Sequence, residues 1–273
     1  MKNDLWIIDA FTSVPFRGNA AAVLVLNEFP SDDEMQMTAL LANLSETAFV
    51  VPTDKNTFNL RWFTPTVEVD LCGHATLATS HTLRQMGFAK QGDTLTFNTK
   101  SGELKARLKD DGSIELDFPL EAGNPVEADP AFKALGVKIL HTERNATNDL
   151  VEVKNFDTLI DCKPNFKKLG EMEMQGVIVT TATGVPEGFD FASRYFGPNC
   201  GINEDPVTGS AHTFLAPYWA ERLGKTEFRA FQASIGKGEL DVALKGDDRV
   251  LIGGKCVTSI RGEIPKLKLL EAV

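Results

Sequence analysis

The chain has 273 residues, 42% hydrophobic and 24% charged, an ordinary globular balance that excludes disorder, collagen, coiled coil and a disulfide mini-protein as the whole-chain answer. Its 28 basic and 38 acidic residues leave a net charge of −10, without the basic stripe of a duplex-binding protein. Four scattered cysteines, Cys72, Cys162, Cys200 and Cys256, form no C-x-x-C pair, which excludes a zinc ribbon and a redox motif. No apolar run approaches the roughly eighteen residues of a membrane span. The opening stretch from Met1 lacks the uninterrupted apolar core of a signal peptide, since Asp9 and Arg17 break it. The expectation is a cytoplasmic protein of one large or two small domains, with neither nucleic acid nor membrane as partner.

In chain order, Leu5–Thr12 and Ala21–Leu26 read as strands around a Pro-Phe-Arg-Gly-Asn loop. Ser31-Asp32-Asp33-Glu34 is a capping box, and Met37, Leu40, Leu41 and Leu44 then keep helical spacing, which predicts a helix over Ser31–Leu44. Thr47–Val51 is a short apolar strand, and alternation at Phe58, Leu60 and Trp62 marks another. Gly73–Met86 is rich in Ala and Thr, poor in charge and followed by Gly87. Such a helix is predicted to be enclosed by sheet rather than to lie on a surface. Alternating strands return at Leu104, Ala106 and Leu108 and at Ile114, Leu116 and Phe118, and residues 119–129 read as a linker.

The second half repeats this grammar. Strands are expected near 138–142, 149–154, 157–162 and 176–182, followed by a second small-residue helix over Gly209–Leu223 that contains Pro217 and ends at Gly224. Leu240, Val242 and Leu244, then Val250 and Ile252, alternate again. The two helices open alike, with Cys72-Gly73-His74-Ala75 and, half a chain later, Thr208-Gly209-Ser210-Ala211. Either two glycines precede two helices by chance, or the chain is an internal duplication whose copies face a common cleft.

Helix N-termini carry unpaired N–H groups and a partial positive charge, so two such starts suit a carboxylate substrate, each contributing about 0.3–2 kcal/mol. Gly73 and Gly209 would let the backbone approach it. No phosphate-loop pattern points to a nucleoside triphosphate. Asp205 and Thr208 read either as helix caps or as functional groups beside the second start. Glu46 is either a solvated loop residue or, if buried beside a cleft, a proton shuttle with a raised pKa. His74 is a candidate general acid, ligand orienter or cap. His212 fits helix packing, and His81 and His141 carry no signal. The C-x-H spacing of Cys72 and His74 has no second pair, which argues against a metal, and no Gly-x-Ser-x-Gly elbow supports a serine nucleophile.

Taken together, several segments resemble the ordered motifs of the PhzF-like isomerase family, named for phenazine biosynthesis. They are Asp9-Ala10-Phe11-Thr12 with Phe16-Arg17-Gly18-Asn19-Ala20-Ala21-Ala22-Val23, Ser45-Glu46-Thr47-Ala48-Phe49, Arg61-Trp62-Phe63-Thr64-Pro65, Cys72-Gly73-His74-Ala75-Thr76 and Asp205-Pro206-Val207-Thr208-Gly209-Ser210-Ala211-His212. Ala216-Pro217-Tyr218-Trp219 adds to the likeness. The resemblance implies an α+β protein of two pseudo-symmetric domains, 1–119 and 120–273, each an antiparallel β-barrel wrapped around a central α-helix as in diaminopimelate epimerase. The last strand is free to return to the first domain.

It further implies a homodimer with an active site between the halves, no cofactor and no metal, acting on a small carboxylate. Glu46 would be the proton shuttle, assisted by His74 and Asp205. Gly73, Gly209 and Ser210 would belong to the substrate-binding helix starts. Related racemases use a cysteine on each face of the substrate carbon. Cys72 stands where one such cysteine would be and Thr208 where the other would be, which disfavours a two-thiol mechanism. An epimerase using Cys72 and a non-catalytic metabolite-binding protein remain the alternatives to a proton-moving isomerase.

Overall fold

The computed structural model describes residues 2–265. The chain divides into two compact units: one holds the residues up to Asp117 and takes the chain up again from Gly253, and the other holds Phe118–Ile252. Among the described residues, no helix is long and apolar enough to cross a membrane.

The first unit runs β1 (Lys2–Ala10), β2 (Asn19–Val25), α1 (Asp32–Ala42), β3 (Glu46–Asp54), β4 (Thr57–Phe63), β5 (Glu68–Val69), α2 (Gly73–Gln85), β6 (Thr94–Thr99), β7 (Gly102–Leu108) and β8 (Ile114–Pro119), the last running on into the second unit. The second runs β9 (Asn124–Pro125), β10 (Ile139–Arg144), β11 (Asn148–Val153), α3 (Phe156–Ile160), α4 (Phe166–Leu169), β12 (Gly176–Thr181), β13 (Phe191–Gly197), β14 (Ile202–Asp205), α5 (Ala211–Leu223), β15 (Glu227–Gln232), β16 (Gly238–Lys245) and β17 (Arg249–Gly254), which leads back to the first unit, where β18 (Cys256–Pro265) pairs with β1. Each unit is an α+β sheet rolled around one helix.

The ladders repeat between the units. β1 and β2 pair antiparallel, β2 and β3 parallel, β3 and β4 antiparallel, and β4 then takes β5 antiparallel and β6 parallel. The same sequence of senses recurs for β10 to β11, β11 to β12, β12 to β13, and β13 to β14 and β15. The barrels are therefore mixed rather than wholly antiparallel. A parallel neighbour needs a crossover, which α1 and α2 supply in the first unit and α3–α4 and α5 in the second.

That requirement corrects one expected strand. Residues 157–162 are largely α3 because they lie in the crossover between two parallel strands, where the Asn155 side chain caps the turn by accepting the Thr158 N–H at 3.0 Å. Leu159 then faces a core of Phe132, Leu135, Val151, Val177, Val179 and Phe196. Within the expected linker, Asn124–Pro125 is a short strand on β10. The α1 capping box forms as its sequence predicts: the Ser31 hydroxyl accepts the Glu34 N–H while Glu34 accepts the Ser31 N–H at 3.0 Å.

α2 can be enclosed although it is polar, because its hydroxyls bond back into the helix. Thr76, Thr79, Ser80 and Thr82 donate to the carbonyls of Cys72, Ala75, Thr76 and Ala78 at 2.6–3.0 Å. With those groups satisfied, the helix packs against β1, β2, β3, β7 and β18. In the second unit the Trp219 indole of α5 donates to Thr180 Oγ1 at 3.0 Å and its ring stacks on Phe191. α5 begins at Ala211, two residues later than the expected Gly209, with Ser210 at the N-cap.

Candidate active site

Glu46 opens β3, where it pairs with Ala21 of β2. Strand side chains alternate, and Phe49 and Val51 pack on the α1 side with Met35, Ala39 and Leu24. Glu46 and Ala48 therefore face the other way, toward α2. There the Glu46 carboxylate meets the second residue of the helix: Oε2 lies 3.0 Å from His74 Nε2, with the two side chains 14% and 9% exposed. The other ring nitrogen, Nδ1, lies 3.5 Å from Cys72 Sγ. The imidazole thus bridges a thiol and a carboxylate.

The three groups shift one another's protonation. Burial works against the charged imidazolium, but the Cys72 sulfur and the Glu46 carboxylate outweigh it and hold the His74 pKa well above its ordinary value. Burial also pushes the Glu46 carboxyl upward, as the sequence argument expected, yet the charge and hydrogen bonding of His74 reverse the outcome and leave the pKa below the ordinary value. The expected rise is therefore corrected: the resting pair is carboxylate and imidazolium. Burial, and then the Glu46 charge, push the Cys72 thiol up, so it stays protonated.

One donor atom from each of Glu46, Cys72 and His74 fits within 4.8 Å, close enough to raise the question of a metal. The ring turns Nδ1 to sulfur and Nε2 to oxygen, and with the imidazole and thiol pKa values both raised, each group would have to give up its proton before the trio could ligate an ion.

In the second unit, Asp205 ends β14 opposite Tyr195 of β13. Its Oδ2 accepts the Thr208 hydroxyl at 2.5 Å. Ser210 stands at the N-cap of α5 in right-handed helical backbone and makes no side-chain cap bond. Neither Cys72 nor Ser210, the two N-cap residues, makes a side-chain cap bond at its helix start. Gly209 is buried, Ser210 is exposed and Gly73 lies between those extremes. His212 is wholly buried with Nδ1 3.0 Å from the Thr208 carbonyl, and burial lowers its pKa to about 4, in keeping with a packing role.

The repeated ladders show how the two copies diverged. Thr47 pairs with Phe63 as Val177 pairs with Phe196, which makes Gly176 the counterpart of Glu46. Val69 pairs with Trp62 as Asp205 pairs with Tyr195, which makes Val69 the counterpart of Asp205. Each unit has one carboxylate that the other lacks. At Gly176 a Cβ would stand 2.3 Å from the Tyr195 hydroxyl, so the aromatic ring fills the space that a side chain would take. Two residues escaped the sequence reading. Gln232 sits in the buried phase of β15 after Phe228 and Ala230, an available signal, since a buried glutamine needs partners. Asp9 is buried in β1 and had no signal beyond its place in a motif.

A family model for phenazine biosynthesis-like proteins matches residues 8–262. The chain belongs to the phenazine biosynthesis-like family. An uncharacterized isomerase of Halalkalibacterium halodurans is 44% identical over 97% of this chain and 99% of its own length. The crystal structure of a phenazine biosynthesis protein of the PhzF family from Enterococcus faecalis matches with a TM-score of 0.91 at 39% identity, covering 97% of this chain and 100% of that one. A hydroxyproline epimerase from Agrobacterium vitis matches at 13% identity with a TM-score of 0.60, over 96% of this chain and 92% of that chain, a likeness of fold alone. This phenazine biosynthesis-like protein therefore has the isomerase and epimerase fold.

Proposed function

We propose that this family member is a cofactor-independent isomerase that moves a proton on a small carboxylate-containing substrate, with Glu46 as acid–base shuttle. The observation that carries this reading is the buried Glu46–His74 pair at the uncapped start of α2. The Glu46 carboxylate takes a proton from a substrate carbon and becomes a carboxylic acid, while the electron pair spreads into the adjoining unsaturated system. The His74 imidazolium and the helix start face the negative charge as it develops. Glu46 then returns the same proton to a second carbon and is again a carboxylate. In the second unit, Asp205 is proposed as an assisting residue, and Gly209 and Ser210 as substrate-binding residues.

A protonated, deeply buried Cys72 thiol is a poor base, which favours Glu46 over a cysteine-based epimerase. The test is deuterium exchange from solvent into the C–H positions of a panel of small amino and hydroxy carboxylates, read by NMR. The wild type exchanges at least one of them. Glu46→Gln loses about a hundredfold or more with its circular dichroism intact, and Cys72→Ala stays within about tenfold of wild type. Near-full exchange by Glu46→Gln, loss confined to Cys72→Ala, or tight binding with no exchange by the wild type would each overturn the proposal.

A further inference from the structure

Gln232 is wholly buried at the end of β15, and its carboxamide touches the Asp205–Thr208 turn three times. Its Oε1 accepts the Thr208 backbone N–H at 2.8 Å. Its Nε2 donates to the Asp205 carbonyl at 2.9 Å and contacts Thr208 Oγ1 at 3.2 Å. A backbone N–H can only donate and a backbone carbonyl can only accept, so these two bonds fix which end of the amide is oxygen. The second N–H of Nε2 is then left for the Thr208 hydroxyl, which must accept it. With its lone pair engaged there, the hydroxyl directs its own proton to Asp205 Oδ2, 2.5 Å away.

We propose that Gln232 is a positioning residue that fixes the Thr208 hydroxyl as a donor to Asp205 and so holds the Asp205 carboxylate in one orientation as an acceptor. The proposal rests on the reading of Asp205 as an assisting residue, and it adds the device that keeps that side chain ready. Among the described residues the relay has no counterpart in the first unit. Thr208 corresponds there to Cys72, whose sulfur turns to His74 instead. Two neighbouring groups on β13 are engaged elsewhere. Arg194 and Glu204 bind each other at 2.8 Å, and the Tyr195 hydroxyl, kept neutral by burial, donates to Asn148 at 3.0 Å.

The experiment needs no substrate, so its outcome is independent of whether the isomerase reading holds. The Asp205 side-chain carbon is followed by NMR pH titration in the full chain, in wild type, Gln232→Leu, Thr208→Val, Thr208→Ser and the Gln232→Leu/Thr208→Val double variant. Losing the donated hydrogen bond should raise the proton affinity of Asp205 about tenfold in Thr208→Val, and Thr208→Ser should restore it. Gln232→Leu should raise it too, but should add nothing in the Thr208→Val background, because Gln232 acts through that hydroxyl. An equal effect of Gln232→Leu in both backgrounds, or none in either, overturns the relay. If Gln232→Leu does not fold, the comparison of Thr208→Val with Thr208→Ser decides alone, and equal titrations in the two refute it.

Discussion

Glu46 Oε2 and His74 Nε2 face each other across 3.0 Å as a buried ion pair, and neither atom makes a well-aligned hydrogen bond among the described residues. Such a pair ties stability to pH in a definite window. The Glu46 pKa is lower folded than its ordinary value of 4.5, so its contribution is present above 4.5 and is lost as pH falls through the folded value. The His74 pKa is raised above 6.5, so its contribution is present below 6.5 and is lost as pH rises through the folded value. Both act together between pH 4.5 and 6.5. Urea unfolding of wild type and Glu46→Gln across pH 4–9 should show the largest stability gap inside that interval. A gap that is flat with pH would mean that the two groups are not charged partners.

Removing the histidine should change when Glu46 works, not merely how well. With His74→Gln, the larger lowering influences on Glu46, the charge and hydrogen bonding of His74, are gone, the smaller one from Cys72 stays, and burial, the largest single influence, remains. The carboxyl should then stay protonated to higher pH. Deuterium-exchange activity of His74→Gln should accordingly have its acid limb at higher pH than the wild type, with part of the lost rate recovered in alkaline buffer. An acid limb that stays in place while the rate falls would assign His74 to another task.

The duplication was legible in the sequence because the two helix starts share small residues and glycine, and because a polar helix without charge must be enclosed. The neighbourhood of Glu46 and His74 was not legible from spacing, since it depends on β3 entering parallel to β2 with Glu46 on the α2 side. The strand assigned to 157–162 failed because β-branched and apolar residues there outweighed a single Asn155 cap in a local reading. The direction of the Glu46 shift failed for a related reason: burial can be guessed from a flanking apolar sequence, whereas the charged partner that reverses its effect comes from a different element. Gln232 was visible only as a polar residue in an apolar phase, with nothing in the sequence to say that Thr208 and Asp205 were its partners.

The divergence of the two copies predicts an asymmetric response at Gly176. A methyl group there would meet the Tyr195 hydroxyl at 2.3 Å, the ring carbon Cζ that carries it at 2.4 Å and the adjacent Cε2 at 2.9 Å. The ring is locked by its bond to Asn148 and cannot simply swing away. Gly176→Ala should therefore cost about 1–3 kcal/mol, the usual penalty of overpacking. Pairing it with Tyr195→Phe, which trims the nearest atom, should recover part of the loss. Denaturant midpoints of the three variants measure this, and an unchanged midpoint for Gly176→Ala would contradict the packing.

Asp9 should prove to be the anchor of the loop between β1 and β2. It is 3% exposed, and its Oδ2 accepts the Phe16 N–H at 2.6 Å together with the Ser259 hydroxyl. The loop it holds is costly backbone, with Phe11 at φ 62° and Phe16 at φ 65°, both in the left-handed region that side chains avoid. Gly18, at φ 72°, closes it where a Cβ would stand 2.1 Å from the Ala10 carbonyl. Asp9→Ala would leave the Phe16 N–H without its acceptor and the loop without its tie, for a loss of about 1–3 kcal/mol. Hydrogen exchange locates the effect: the Phe16 amide should exchange at least about tenfold faster than in wild type, while β3 and β4 amides slow or quicken only with global stability. Because the loop leaves from Ala10 and returns at Asn19, two residues before the Ala21 that pairs with Glu46, Asp9→Ala should also lower deuterium-exchange activity without moving its pH profile. Protection at Phe16 that survives the substitution would show that the loop is held by something other than this carboxylate.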